Sequence, residues 1–411
     1  EKAEESGAQT SAEAGSDESG SADTRSGSVG RFSAPMTAES AANTKAQVQA
    51  QIEVLREKIR ALANRTLRND PLNAKAYRLL GEVATDTDTV RGYMKVAARL
   101  SRREPIALFW LLQDSVAQGV HTQTLTYADT LLRTEPGLAQ YVVSYLAVLN
   151  EDEEGRQILT VKLSENPDWR ERFFSQLPRV MRNPASVLKL MLALKEAGHP
   201  PTTNELGRFL GHLLRQGQHQ LAYNTWLQLL SPDALKAVGP VNNGDFETQP
   251  TGLAFDWTIA RPRNAIVKIA ADPQEDTNHA LAVRFSGRRA ANIQVGQTVL
   301  LVPGTYDIRG DIKGKIQGKR GMRWKLVCLA KKSTDIGQSD MLFAADGAWQ
   351  PFTFRVEVPN DGSCPAQLLV LIHDARSASE ELVNGTVLLD NIRIERVMPS
   401  AQSNDIRPTV R

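Results

Sequence analysis

The 411-residue sequence predicts a multi-domain chain of the α-then-β class, with a disordered N-terminal tail, an α-solenoid and a C-terminal β-sandwich of jelly-roll type. Three observations predict it. Residues 1–45 are rich in Ser, Ala, Gly, Glu and Asp and poor in large apolar side chains. Prolines then recur at Pro71, Pro105, Pro136, Pro167, Pro200 and Pro232, separated by 34, 31, 31, 33 and 32 residues. Finally, Asn242-Asn243-Gly244-Asp245-Phe246-Glu247 is answered by Leu388-Leu389-Asp390-Asn391-Ile392-Arg393-Ile394, and the pair brackets one β domain. The expected boundaries are 1–45 for the tail, 46–238 for the helices, 240–398 for the sandwich and 399–411 for a second disordered tail.

The N-terminal tail buries too little apolar surface to offset the entropy of ordering it. The chain starts at Glu1 rather than at a methionine, which fits a removed signal peptide or a lipoprotein or membrane anchor upstream, and equally a trimmed cytosolic protein. No run of about 18 apolar residues exists to span a bilayer, so membrane contact is expected only through such an anchor. Cys328 and Cys364 are the two cysteines. An even pair confined to one domain predicts a disulfide and a periplasmic or extracellular setting, and two free buried thiols are the alternative.

The proline interval is near the repeat length of about 34 residues in which proline closes each helix pair. The stretch Asn69-Asp70-Pro71-Leu72-Asn73-Ala74-Lys75-Ala76-Tyr77-Arg78-Leu79-Leu80-Gly81 resembles a tetratricopeptide-repeat junction, while later units keep the rhythm alone. Five or six helix pairs are expected, preceded by a helix from Gln47 to Leu67 whose apolar stripe is Val48, Ile52, Leu55, Ile59 and Leu62. The resemblance implies a surface for a protein partner.

In the β domain, the first and last strands of a sandwich often lie side by side, which would bring Glu247 to Asp390. Two carboxylates with loop carbonyls suit Ca2+, and plain turn capping explains the same residues. The opening turn, Trp257 soon after it, and the closing Leu-Asp-Asn-Ile strand resemble jelly-roll carbohydrate-binding modules and the related galactose-binding-like sandwiches. That resemblance implies a structural calcium on Glu247 and Asp390, with Asn242 and Gly244 as carbonyl donors, remote from any sugar.

No Gly-x-Ser-x-Gly, Gly-x-x-x-x-Gly-Lys, Gly-x-Gly-x-x-Gly or His-Glu-x-x-His occurs, and a non-catalytic protein is expected. Sugars present apolar faces to flat side chains, so aromatics are the first candidates for binding. Trp324 shares a strand face with Met322, Leu326 and Cys328 and serves either as core or as a ligand platform. From Thr258 to Lys332, fifteen Lys or Arg face five acids, a surplus that would draw anions such as an acidic polysaccharide or phospholipid head groups, and less readily nucleic acid in an oxidising compartment; cations that only solubilise and protect strand edges are the alternative. The stretch from Lys313 to Gly321 reads as a mobile basic loop, making Lys313, Lys315, Lys319, Arg320 and Arg323 the candidate ligand residues beside Trp324.

Helical repeats followed by such a module resemble proteins found with bacterial exopolysaccharide or O-antigen assembly machinery. The leading expectation is therefore a scaffold whose solenoid docks a protein while its sandwich contacts glycan. The alternatives are a purely structural adaptor, or a glycoside hydrolase or lyase using Glu247 and Asp390.

Overall fold

The computed structural model describes residues 38–330, 333–344 and 347–397. Most of the expected N-terminal tail and all of the C-terminal one, 399–411, lie outside the described residues, as do Lys331 and Lys332. The chain divides into two compact units, residues 1–62 and 63–411; the helix pairs and the sandwich both belong to the second.

Helix α1, Ala38–Asn69, begins nine residues ahead of its expected start at Gln47. Val48, Ile52, Leu55 and Leu62 of its apolar stripe are exposed. The helices that follow come in pairs: α2 (Ala74–Val83) with α3 (Thr87–Leu100), α4 (Pro105–Ala117) with α5 (His121–Thr134), α6 (Ala139–Leu149) with α7 (Glu153–Ser164), α8 (Arg170–Val180) with α9 (Pro184–Glu196), and α10 (Thr203–Arg215) with α11 (His219–Leu229). A short α12, Pro232–Lys236, ends the array.

Pro71, Pro105, Pro136, Pro167 and Pro200 stand at or just before the first helix of a pair, where a missing N–H costs nothing, and Pro232 opens the lone α12. Asn73, Asp86 and Asp152 cap α2, α3 and α7 by accepting from the third backbone N–H beyond them. At α10, Thr202 and Glu205 form a reciprocal capping box. Arg170 and Glu205, both buried, tie α8 to α10 through two hydrogen bonds of 2.9 Å.

The helical core does not stop at the last pair. Leu253 and Phe255, from the segment that opens the sandwich, are buried in it. Phe255 sits 5.1 Å edge-on to Tyr223 and 5.7 Å from Trp226, and Leu253 packs against Gly207.

The β domain is a sandwich of two five-stranded sheets paired antiparallel throughout. One, in the order β1-β4-β9-β6-β7, contains β1 (Thr258–Ile259), β4 (Gln294–Val299), β9 (Gln367–His373), β6 (Met322–Cys328) and β7 (Thr334–Gln338). The other, in the order β2-β3-β10-β5-β8, contains β2 (Ala265–Asp272), β3 (Glu275–Arg289), β10 (Leu382–Arg396), β5 (Gly304–Gly318) and β8 (Gln350–Val358). Strand alternation sends Leu281, Val283, Ile308, Ile312, Phe354 and Val356 into the shared core with Trp257 and Trp324.

The two bracketing motifs do meet. Gly244 O accepts from Ile392 N at 2.8 Å, and a Cβ at Gly244 would lie 2.1 Å from Ile392 O, so the approach requires glycine. Asn243 and Phe246 carry positive φ, Phe246 stacks 5.2 Å from Trp257, and Trp257 Nε1 donates to Asn243 O. Cys328 and Cys364 form a disulfide with their Cα atoms 5.3 Å apart.

Candidate functional site

The outer face of the β2-β3-β10-β5-β8 sheet carries a cleft. It has a volume of ≈ 850 Å3 and lies across β8, β5 and β10, with Asp307, Arg309, Asp311, Thr353, Arg355 and Arg393 among its walls. Gly310, on the inward register between Ile308 and Ile312, leaves room for Ile392 and the Phe352 ring, which a Cβ there would meet at 2.6 and 2.7 Å. Arg355 grips Asp307 with both nitrogens at 2.7 and 3.1 Å, and Arg309 reaches Glu395 at 3.0 Å. The Arg355 hydrogen bond holds the Asp307 carboxyl below its ordinary pKa. Arg393 is exposed and has no ion-pair partner among the described residues. Planar guanidinium forks and carboxylates interleaved in this way can hydrogen-bond a ligand rich in hydroxyls.

Two residues along the same strand face from Asp311, Lys313 is buried. Its Nζ lies 2.8 and 2.7 Å from the two oxygens of buried Asp272 and 5.5 Å from the Trp349 ring centroid. Trp349 Nε1 also donates to Asp272, at 3.2 Å. Burial pushes the Asp272 pKa up, but Lys313, the Gln274 N–H and Trp349 outweigh it and hold the carboxyl below its ordinary value.

Asp390, 3% exposed, occupies the neighbouring strand without a cation. It accepts from Asn278 Nδ2 at 3.1 Å and from the Asn391 N–H at 2.6 Å. Burial foremost, then the charges of Asp245 and Glu247, raises its pKa. A bulge between Asp390 and Arg393, with Asn391 at φ 54°, breaks the expected alternation of β10. Leu389, Ile392 and Ile394 enter the core, while Leu388 and Asp390 fall on the outer face.

The proposed calcium ligands are near one another but individually engaged. Glu247 accepts from the His279 backbone N–H at 3.0 Å and lies 3.1 Å from its ring Nδ1. The Asn242 carbonyl accepts from Gln297 Nε2, and the Gly244 carbonyl from Ile392 N. Among the described residues no group of three or more His, Cys, Asp or Glu stands ready to hold an ion. Of Asp245, Glu247 and Asp390, Asp390 alone is buried. That burial also keeps Asp390 from a glycosidic oxygen.

Several expected ligand residues are corrected. Trp324 is fully buried, 5.8 Å from Trp257, and offers no face to a ligand. The supposed mobile loop is largely strand: Lys313 and Lys315 lie on β5, and only Lys319 and Arg320 fall in the turn beyond it. Gly314, at φ 111°, is needed there because a Cβ would lie 2.3 Å from Thr386 O. Part of the basic surplus is neutralised: Lys313 on Asp272, Arg320 on Glu380 at 3.3 Å, and Arg323 on Asp374 at 3.1 Å. Lys315 and Lys319 stay exposed, and Lys315 shares its strand face with Lys313. The cleft residues Arg309, Arg355 and Arg393 were missed; alternation of Arg and Asp along β5 was their one sequence signal.

In the helical array, Ile106, Phe109, Trp110, Leu138 and Tyr141 line an apolar cleft of ≈ 550 Å3, with Ile106 51% and Tyr141 54% exposed. Gln113 Nε2 donates to Tyr145 OH beside it, at 2.9 Å.

No family model matches the chain, and no curated protein matches it. Among solved structures, one described as "CBM4 structure and function" is 16% identical, covering 38% of this chain and 99% of its own, with a TM-score of 0.30. The CBM22-1 xylan-binding domain from Paenibacillus barcinonensis Xyn10C is 15% identical over 38% of this chain and 94% of its own, with a TM-score of 0.27. TmCBM61, solved with β-1,4-galactotriose, is 14% identical over 39% and 99%, with a TM-score of 0.25. These scores are low; the sandwich stands on its strand order alone.

Proposed function

We propose that this chain is a non-catalytic scaffold of polysaccharide handling, of the kind that serves exopolysaccharide assembly. The sandwich engages glycan along the outer sheet face, and the helix pairs dock a protein. The observation that carries the reading is the cleft of Arg309, Arg355 and Arg393 interleaved with Asp307 and Asp311. Lys315 beyond it and the unpaired Arg393 favour an anionic glycan. The disulfide fits an oxidising, periplasmic or extracellular setting.

The test is retention of the full chain on immobilised neutral and uronate glycans at low and moderate salt. Arg393→Ala with Arg355→Ala is expected to weaken retention about 10-fold or more. A folded chain that no glycan retains sinks the proposal. Ile106 and Tyr141 favour a second reading, a purely structural adaptor, in which Tyr141→Glu abolishes partner capture while glycans go unbound.

Calcium is proposed at Asp390 and Glu247, with the Asn242 and Gly244 carbonyls, where a cation would compensate the buried Asp390 once His279 releases Glu247. Calcium is then expected to raise the melting temperature, chelator to reverse the gain, and Asp390→Asn to remove it. An equal melting temperature with calcium and with chelator refutes the site.

A further inference from the structure

The helix pairs carry a second groove, of ≈ 880 Å3, formed by α3, α5 and α7 and separate from the apolar cleft on α4 and α6. Lys95 and Arg99 on α3, Arg102 just beyond it, and Lys162 on α7 rim it. Asp129 is the acid in its lining, and Arg133 at 3.0 Å, Trp169 Nε1 at 2.8 Å and Lys162 at 3.7 Å already occupy it; Lys162 also pairs with Glu165 at 2.8 Å, which leaves Lys95, Arg99 and Arg102 as the free cations of the rim among the described residues.

Lys95, Arg99 and Arg102 are exposed and form no ion pair among the described residues. They contrast with Arg78, Arg91, Arg133, Arg156, Arg170 and Arg208 of the same array, each held by a carboxylate. Asp114 feels Lys95 as a charge without an ion pair, and Arg91 holds it directly.

The rest of the groove is not a sugar platform. Ala98, Leu108, Leu125 and Ile158 floor it. Thr126 and Thr130 donate their hydroxyl hydrogens back to the Thr122 and Thr126 carbonyls at 2.7 and 2.9 Å, which leaves methyls and lone pairs as their contribution. Tyr127 is its one aromatic lining residue.

We infer that this groove binds an acidic, amphipathic peptide segment of a partner protein. Lys95 and Arg99 stand at i and i+4 on α3, so their charges lie about one helical turn, roughly 6 Å, apart, and Arg102 follows in the turn beyond Leu100. Carboxylates on successive turns of a docked helix match that spacing, and its apolar side chains reach the aliphatic floor. A polyuronate would match the charges and leave the floor empty. The inference rests on the protein-docking half of the scaffold reading and names a chemistry and a place for it.

The test titrates the full chain with a fluorescein-labelled synthetic helical peptide bearing glutamates on one face and leucines on the other. Lys95→Glu with Arg99→Glu is expected to weaken binding at least about 10-fold. Lys189→Glu, an equal kind of charge change on α9 outside the groove, is expected to change it less than about twofold. Added salt should weaken the complex. The inference is overturned if the double variant binds as the unchanged chain does, if Lys189→Glu weakens binding as much, or if polyuronate displaces the peptide at equal carboxylate concentration. Glycan retention, run on the same variants, should be unaffected, so loss of one activity without the other tells which proposal has failed.

Discussion

In the helical array the buried carboxylate of Glu205 meets the fork of Arg170, whereas in the sandwich Asp390 meets two amides and the repulsion of two further acids. The first arrangement spans two helix pairs and leaves no lone pair facing an uncompensated field. The second leaves a charge whose cheapest relief is a proton or a metal ion. Asp272 stands between them: it lies on the same sheet as Asp390 but is answered by Lys313. Burial alone thus does not decide the state of a carboxylate; the nearest cation does.

Breaking the first arrangement should cost most. Glu205→Ala strands the Arg170 guanidinium and removes the capping box, a loss of about 3–5 kcal/mol that thermal or denaturant unfolding would read. Lys313→Ala should follow at about 3 kcal/mol, because it leaves Asp272 buried alone. Adding Asp272→Asn to that variant should restore part of the loss, and no recovery would mean that packing on Trp349 rather than charge sets the cost.

The smallest effect sharpens the contrast through pH. The lowered pKa of Asp272 contributes stability present above the ordinary carboxylate pKa of about 3.9 and lost as pH falls through the folded value. Asp390 runs the other way. Its raised pKa means that the folded protein holds the proton more tightly, so ionisation opposes folding as pH rises through the folded value. Without calcium, Asp390→Asn should therefore raise the melting temperature slightly at neutral pH and lose that gain in acid. A decrease at neutral pH would show that Asp390 is already compensated.

Much of the architecture was legible because it rests on local chemistry. Proline marks helix entrances wherever it falls, so Pro105 and Pro200 announced pair boundaries without any knowledge of packing. Gly244 and Asn243 announced a backbone turn that few other residues adopt, and the cysteines needed only neighbouring strands. The face a side chain takes was harder. Trp324 alternates with Met322 and Leu326, a pattern that names a face without saying whether it is covered. The glycines around Lys313 looked like mobility and turned out to be close strand approach. Ion pairs such as Lys313 with Asp272 join residues far apart in sequence, which no local pattern encodes, so the cleft across β5, β8 and β10 was not read from the sequence.

Phe255 has a mechanical consequence. A side chain from the sandwich's own leader is wedged between Tyr223 and Trp226, so the last helix pair and the first turn of the sandwich share one anchor rather than a swivel. A load on the helices would pass directly into the sheet, and the bearing of the cleft relative to the helix pairs is set at folding instead of being searched for by tumbling on a tether. Phe255 thus acts as a keystone, and an excised sandwich would lose its aim together with its neighbour.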